Sequence, residues 1–247
     1  IFCVNLLGNP NDFSKINEII SDRNIIVLED NCESMGATFE NKQTGTYGLM
    51  GSFSTFFSHH MSTMEGGHVV TNDEEIYHIL LSLRAHGWTR NLPKENHVCG
   101  IKSDDLFAES FRFVLPGYNV RPLELEGAIG IEQLKYVDEL ISKHVNNAKF
   151  YDEHLQDLSK VTLLPRSDDS VSASWLYTIH VTNRDEFMNY MSENNVMTSK
   201  VHERNDIHDC FSEFSSDVPG VDSFCESQVS IPVGWWLTSD QLNYIAK

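Results

Sequence analysis

The run from Gly51 to Thr71, GSFSTFFSHHMSTMEGGHVVT, constrains the fold more than any other part of the chain. Phe53, Phe56 and Phe57 mark a first strand and its end. Val69 and Val70 mark a second, and Gly66-Gly67 marks the reversal between them. Between the strands lie His59 and His60. Two adjacent imidazoles between apolar strands cost free energy unless they have partners or chemistry to do. Upstream, Ile25-Ile26-Val27-Leu28 is four aliphatics without alternation. That pattern predicts a strand covered on both faces, as in a parallel sheet. The run ends in Glu29-Asp30, and open α/β sheets bind ligands beyond the carboxyl ends of their strands. Asp30 is therefore a candidate site residue, with a strand-end turn or helix cap as the alternative reading.

Helical spacing flanks these strands. Ile16, Ile19 and Ile20 predict a helix over Ser14 to Asp22, capped by Asp12 or Ser14. Asn72 and Glu75 resemble a capping box at the head of a helix that buries Ile76, Leu80 and Leu83. Leu134, Val137, Ile141, Val145, Ala148, Tyr151, Leu155 and Leu158 recur at three- and four-residue steps. They predict one helix from Leu123 to about Leu158, long enough to bridge two domains, with the boundary near residue 150. Alternation at Trp175, Tyr177, Ile179 and Val181 predicts a half-buried strand in the second domain. Residues from Trp88 to Asp105 predict a long loop, and such loops are often functional. Trp88 and Arg90 have two readings of equal weight: contacts to an anionic, ring-bearing substrate, or a surface aromatic beside a solvated charge.

Charge and cysteine content exclude several classes. Lys plus Arg is 18 against 36 for Asp plus Glu, a formal net charge of −18, which argues against nucleic acid and anionic membranes as partners. No apolar run approaches the roughly 20 residues of a membrane span. With no signal segment in view, the expected location is cytoplasmic. Cys3, Cys32, Cys99, Cys210 and Cys225 are scattered and form no CxxC pair. Zinc, an iron–sulfur cluster and a disulfide framework are therefore not expected, and no metal site is assigned.

The Gly51–Thr71 stretch resembles the lysine-bearing segment of the DegT/DnrJ/EryC1/StrS sugar aminotransferase family. In that family a Ser opens the segment and the Schiff-base Lys follows five residues later. The Glu of a Gly-Glu-Gly-Gly turn comes six beyond the Lys. Counting back six from Glu65 reaches His59, and five more reach Ser54. The frame is kept and the lysine is not, which resembles the family's 3-dehydratase branch. Met64 stands where the turn's first Gly would be. The resemblance continues in Leu28 to Ala37, similar to the family's Glu-Asp-Ala-Ala-Gln-Ala-x-Gly-Ala. It implies that Asp30 pairs with the pyridine nitrogen of a pyridoxal cofactor, and that Glu33 stands beside the ring where Gln is usual. Gly117-Tyr118-Asn119-Val120-Arg121 resembles Gly-x-Asn-x-Arg, which implies that Asn119 reaches the cofactor phosphate of a neighbouring subunit. Val201 to His208 lies where small domains of relatives approach the sugar, which makes His202 a candidate substrate contact.

What the resemblance implies is a set of expectations. The fold is α/β, of the type I PLP-dependent (aspartate aminotransferase-like) class. It is truncated at the N-terminus, because the phosphate-binding helix start and ring-stacking aromatic lie upstream in relatives. Residues 1–150 are the later part of the large domain and 151–247 a small C-terminal α/β domain. His59 is catalytic; Asp30, Glu33, Ser54 and Asn119 bind pyridoxal 5′-phosphate or pyridoxamine 5′-phosphate; Trp88, Arg90 and His202 contact substrate. The activity is 3-dehydration of a nucleotide-linked 4-keto-6-deoxy sugar for lipopolysaccharide or another surface glycan. An amino donor such as glutamate serves it, in a homodimer with shared sites. The alternatives are a 4-aminotransferase that manages without the lysine, and a catalytically silent sugar-nucleotide-binding homologue.

Overall fold

The computed structural model describes residues 1–247. They form two compact units: Ile1–Asn5, Asn11–Cys32 and Lys42–Tyr136 in the first, Leu6–Pro10, Glu33–Asn41 and Val137–Lys247 in the second. The division therefore falls at Tyr136, not near residue 150, and two short early segments belong to the second unit.

The first unit is built on a four-stranded sheet, in the order Phe2–Val4, Leu28–Asp30, Met50–Ser54, Gly67–Val70. The first three strands are parallel and the fourth runs antiparallel to its neighbour. Register is fixed on both sides of the central strand, with Glu29 opposite Cys3 and Gly51, and Asp30 opposite Val4 and Ser52. The aliphatic run begins earlier than this strand does. Ile25 and Ile26 are 36% and 58% exposed, and of the four aliphatics only Val27 is buried. A tight turn, with the Ile25 N–H donated to Arg23 O at 2.9 Å, precedes the strand, and Ile26 joins it only through its carbonyl, which accepts from the Ile1 amino group at 2.7 Å.

Glu29 and Asp30 point to opposite faces of the sheet because strand side chains alternate. Glu29 is buried, and its carboxylate accepts the N–H groups of Gly45 (2.6 Å), Tyr47 (2.6 Å) and Gly48 (2.7 Å). Three backbone donors on one carboxylate offset the cost of burying its charge. Helix Phe13–Ile20 starts at Asp12, whose side chain accepts the Lys15 N–H at 2.9 Å. Helix Glu74–Leu83 is capped by Asp73, which accepts from Ile76, one residue past the expected Asn72.

The stretch predicted as a loop after Trp88 holds a short hairpin, Glu95–Asn96 against Gly100–Ile101. Beside it the Glu109 carboxyl accepts the Ser103 N–H, Arg112 and the Thr89 hydroxyl. Those donors, the Ser103 N–H foremost, hold its pKa down at about 2 against the opposing effect of burial. Gly87 and Gly117 make a backbone crossing here. Gly87 has φ +79°, and a Cβ on it would lie 1.6 Å from Leu115 O; one on Gly117 would lie 2.2 Å from Gly87 N.

The helix predicted over Leu123 to Leu158 is two, Glu124–Gln133 and Val137–Leu155. The first ends by tightening: Lys135 and Tyr136 donate to Glu132 O and Gln133 O, three residues back. The apolar periodicity runs straight through this break and so does not report it. Neither helix, nor any other, is long and apolar enough to cross a membrane.

The second unit packs Val137–Leu155 with helices Arg184–Glu193 and Ser239–Ile245 around an antiparallel sheet ordered Gln228–Ile231, Tyr177–Val181, Val161–Leu163. Its core contains Tyr151, Tyr177, Ile179, Val229 and Ile231, all nearly inaccessible to solvent. Each such side chain contributes about 1.5–3 kcal/mol through burial. Both buried phenols find acceptors, Tyr151 at Pro232 O (2.9 Å) and Tyr177 at Asp152 Oδ1 (2.8 Å), as buried hydroxyls require.

Candidate active site

Within the first unit, Asp30 and Ser54 sit at the carboxyl ends of adjacent parallel strands. Asp30 Oδ1 accepts the Cys32 N–H at 2.9 Å and the Ser52 hydroxyl at 3.4 Å. Ser54 Oγ accepts the Phe56 N–H at 3.1 Å and starts the turn out of the strand.

The loop that follows is pinched at its neck. Thr55 N–H donates to Gly66 O (3.1 Å) and Thr63 N–H to Thr55 O (2.8 Å). The two threonine hydroxyls lie 2.6 Å apart, and Thr63 Oγ1 donates to Glu65 O at 2.6 Å. His59 rides on this braced loop with its N–H on Phe56 O (3.0 Å) and its Nδ1 3.4 Å from Ser58 Oγ. The two imidazoles divide: His60 is 6% exposed, while His59 is only partly covered. Met64 has φ +73°, a left-handed conformation that explains why glycine suits this place in the turn. Ser58, Thr55 and Thr63 are the functional supports that sequence reasoning passed over. A hydroxyl directly before the histidine was the available signal for Ser58.

Asn119 forms an antiparallel bridge with Ala85, flanked by bonds from Tyr118 N–H to Leu83 O and from Val120 N–H to Arg84 O. Its Oδ1 is 3.5 Å from Arg121 Nε. Trp88 donates its indole N–H to Ser110 O at 2.9 Å and stacks on Phe113 with centroids 5.3 Å apart. Arg90 lies 4.8 Å over the Trp88 ring, a cation–π contact, so the two candidate substrate contacts hold each other. In the second unit Glu33 and His202 are joined directly, Oε1 to Nε2 at 2.5 Å. No group of three or more His, Cys, Asp or Glu is arranged to hold a metal ion.

A parallel sheet with a carboxylate at one strand end, and a braced loop carrying an imidazole after the next, defines an α/β protein of the aminotransferase type. The chain belongs to the DegT/DnrJ/EryC1/StrS aminotransferase family, whose model matches residues 1–247. Over 157 residues it is 68% identical to the GDP-4-keto-6-deoxy-D-mannose 3-dehydratase of Escherichia coli O55:H7, a match covering 64% of this chain and 40% of that protein. It superposes on a crystal structure of GDP-4-keto-6-deoxymannose-3-dehydratase with a trapped PLP-glutamate geminal diamine, with TM-score 0.93 and 44% identity. That match covers 100% of this chain and 66% of the other. A ColD variant, in which a histidine is replaced by lysine and the serine before it by asparagine, superposes with TM-score 0.94 at 43% identity, over 100% of this chain and 67% of that one. The chain thus spans about two thirds of the solved chains and matches less than half of the curated relative.

Proposed function

We propose that the chain carries the active-site residues of a PLP/PMP-dependent enzyme that removes the C3 hydroxyl from a GDP-linked 4-keto-6-deoxy sugar, in the making of lipopolysaccharide or another surface glycan. The observation that carries this reading is His59, standing on a braced loop at the family's lysine place, five residues after Ser54 and six before Glu65. A Ser–His step occurs once in the chain, at Ser58-His59. The Ser–His pair altered in the similar ColD variant supports His59, not the buried His60, as the reactive imidazole.

When bound, the cofactor supplies a conjugated ring that holds the electron pair released as a proton leaves the adjoining carbon. Asp30 Oδ2 would hold a proton at the ring nitrogen. Ser54 Oγ already accepts from Phe56 N–H and keeps its own hydrogen for a phosphate oxygen. A histidine forms no Schiff base, but its imidazole exchanges protons near neutral pH. Ser58 Oγ beside Nδ1 would orient the ring, and Nε2 would take up the proton and give one to the C3 oxygen, which departs as water. Glutamate is the proposed amino donor, which the PLP-glutamate species in the similar structure supports.

Incubating the full-length protein with the GDP-4-keto sugar, PLP and glutamate should give a product lacking the C3 hydroxyl, read by mass spectrometry and NMR. A stable 4-amino product would mean an aminotransferase instead, and nucleotide-sugar binding with neither product would mean a silent homologue.

A second copy of the chain is the proposed partner. Leu106, Phe107, Tyr118, Val120 and Leu123 of the first unit are each at least 65% exposed, apolar area available to a second copy. Asn119 lies in the same stretch and, in this reading, serves the partner's cofactor. Mixing Asn119→Ala chains with Asp30→Ala chains should restore activity, because each hybrid dimer keeps one intact site. A fully active monomer in sedimentation would end the idea.

A further inference from the structure

Two left-handed turns of the second unit converge on one carboxylate. Glu33 is 8% exposed. Its Oε2 accepts the Leu7 N–H at 2.6 Å, and its Oε1 accepts from His202 Nε2 at 2.5 Å. Leu7 has φ +57° and His202 φ +72°, conformations uncommon for residues with a side chain and kept only where surrounding contacts impose them. The segment leading to His202 is pinned. Ser199 exchanges both backbone bonds with Ser230, at 3.1 and 2.8 Å. The Gln228 amide then continues that ladder to Val201, accepting its N–H at 3.4 Å and donating to its carbonyl at 3.0 Å. The segment after it is pinned too, because Arg204 bonds Asp206 at 2.6 and 2.9 Å and Asp222 at 2.5 Å. His202 lies between these anchors with its side chain 41% exposed and one ring edge held by Glu33.

We propose that Glu33 is a positioning residue, which fixes the His202 imidazole through Nε2 so that the protonated ring presents its Nδ1 N–H as a donor to the oxygen atoms of an anionic ligand. The ligand class, a nucleotide-linked sugar, rests on the function proposed above; the clamp itself does not. A chain of formal charge −18 needs such local donors to receive an anion. Contact with Glu33 raises the His202 pKa above the ordinary histidine value, against the opposing effect of burial. The charged neighbours along its own segment are otherwise engaged: Glu203 accepts the Arg204 N–H at 3.1 Å, and Arg204 is taken by its two aspartates. The strand behind contributes only the neutral Gln228 amide. The sign follows from the raised value. The clamp's contribution is complete below the unfolded histidine pKa and is lost as pH rises through the higher folded one.

The test uses the full-length protein, with Glu33→Gln, Glu33→Asp and His202→Gln variants. Three readouts apply: the NMR titration of His202, hydrogen exchange of the amides of residues 201–204, and KM against kcat for the GDP-sugar. Glu33→Gln should bring the His202 titration down to or below the ordinary histidine range. It should also speed exchange at 201–204 about tenfold and raise KM about tenfold. Glu33→Asp, which keeps the charge, should restore the titration in part. The double variant Glu33→Gln/His202→Gln should raise KM no further than either single change. An unchanged His202 titration in Glu33→Gln overturns the proposal, as does faster exchange with no change in titration, which would mean a merely structural bond. If Glu33→Gln does not fold, an unmoved titration in Glu33→Asp overturns it equally. If the sugar is not the substrate, the titration and exchange still decide the clamp, so the two failures stay distinct.

Discussion

Replacing His59 with asparagine in the full-length protein is expected to lower turnover by about 10²–10⁴-fold, the usual size of a lost general acid–base, with cofactor binding retained. Asparagine keeps a polar, hydrogen-bonding side chain of similar reach beside Ser58 but exchanges no proton near neutrality. The loop geometry should survive, because it is set by Thr55, Thr63 and Gly66 and not by the imidazole. His59→Lys is expected to link the cofactor covalently, visible as a shifted absorbance, and to lose dehydration. His60→Asn is the informative neighbour. Its ring is 6% exposed, so the change should cost stability and leave the proton step in place. If His60→Asn abolishes turnover while His59→Asn does not, the reactive histidine is one residue further on. If both variants turn over normally, the proton route is wrong.

Gly87→Ala is expected to cost more than about 4 kcal/mol and to leave little folded protein, beyond the range of ordinary substitutions. Two effects add. The added Cβ would lie 1.6 Å from Leu115 O, a carbonyl fixed in the backbone, and φ +79° strains any L side chain. Gly100→Ala separates them: its φ is +71° with nothing within 4 Å, so it should cost only the left-handed penalty of about 1–2 kcal/mol. Gly127, in the middle of helix Glu124–Gln133 with open space around it, should give a gain of about 0.5–1 kcal/mol on substitution by alanine. Denaturation midpoints of the three variants check the ranking, and a Gly87→Ala midpoint close to that of Gly100→Ala would refute the crossing argument. The consequence reaches the site, because the same crossing holds Ala85 against Asn119 and sets the path to Trp88.

What was legible in the chain was whatever depends on near neighbours. Ser54, His59 and Glu65 are spaced along one loop, so counting singles them out as candidates, and Asp30 closes the strand that its aliphatic run announced. Asp12 caps its helix as composition suggests. The failures come from two sources. Periodicity carries no mark where a helix breaks without changing face, so the stop at Leu134–Tyr136 was invisible. Hydrophobicity overstated the strand at Ile25 and Ile26, which follow a turn at Arg23 and precede the strand. The Glu33–His202 clamp was out of reach altogether. Its members are 169 residues apart, and the third partner, Leu7, contributes a backbone N–H that side-chain chemistry does not predict.

The alternating pair at the end of the central strand has a consequence for error during folding. Glu29 and Asp30 carry the same functional group one methylene apart, and only the pleat tells them apart. A slip of one residue would turn Asp30 toward the Gly45–Gly48 turn, too short to gather its three N–H groups. Asn31, which carries no carboxylate, would then stand at Asp30's place. Ladders on both sides, Phe2–Val4 and Met50–Ser54, act as a double lock against that misthreading. The sheet's inner position thus proofreads which of two acids meets the Gly45–Gly48 turn.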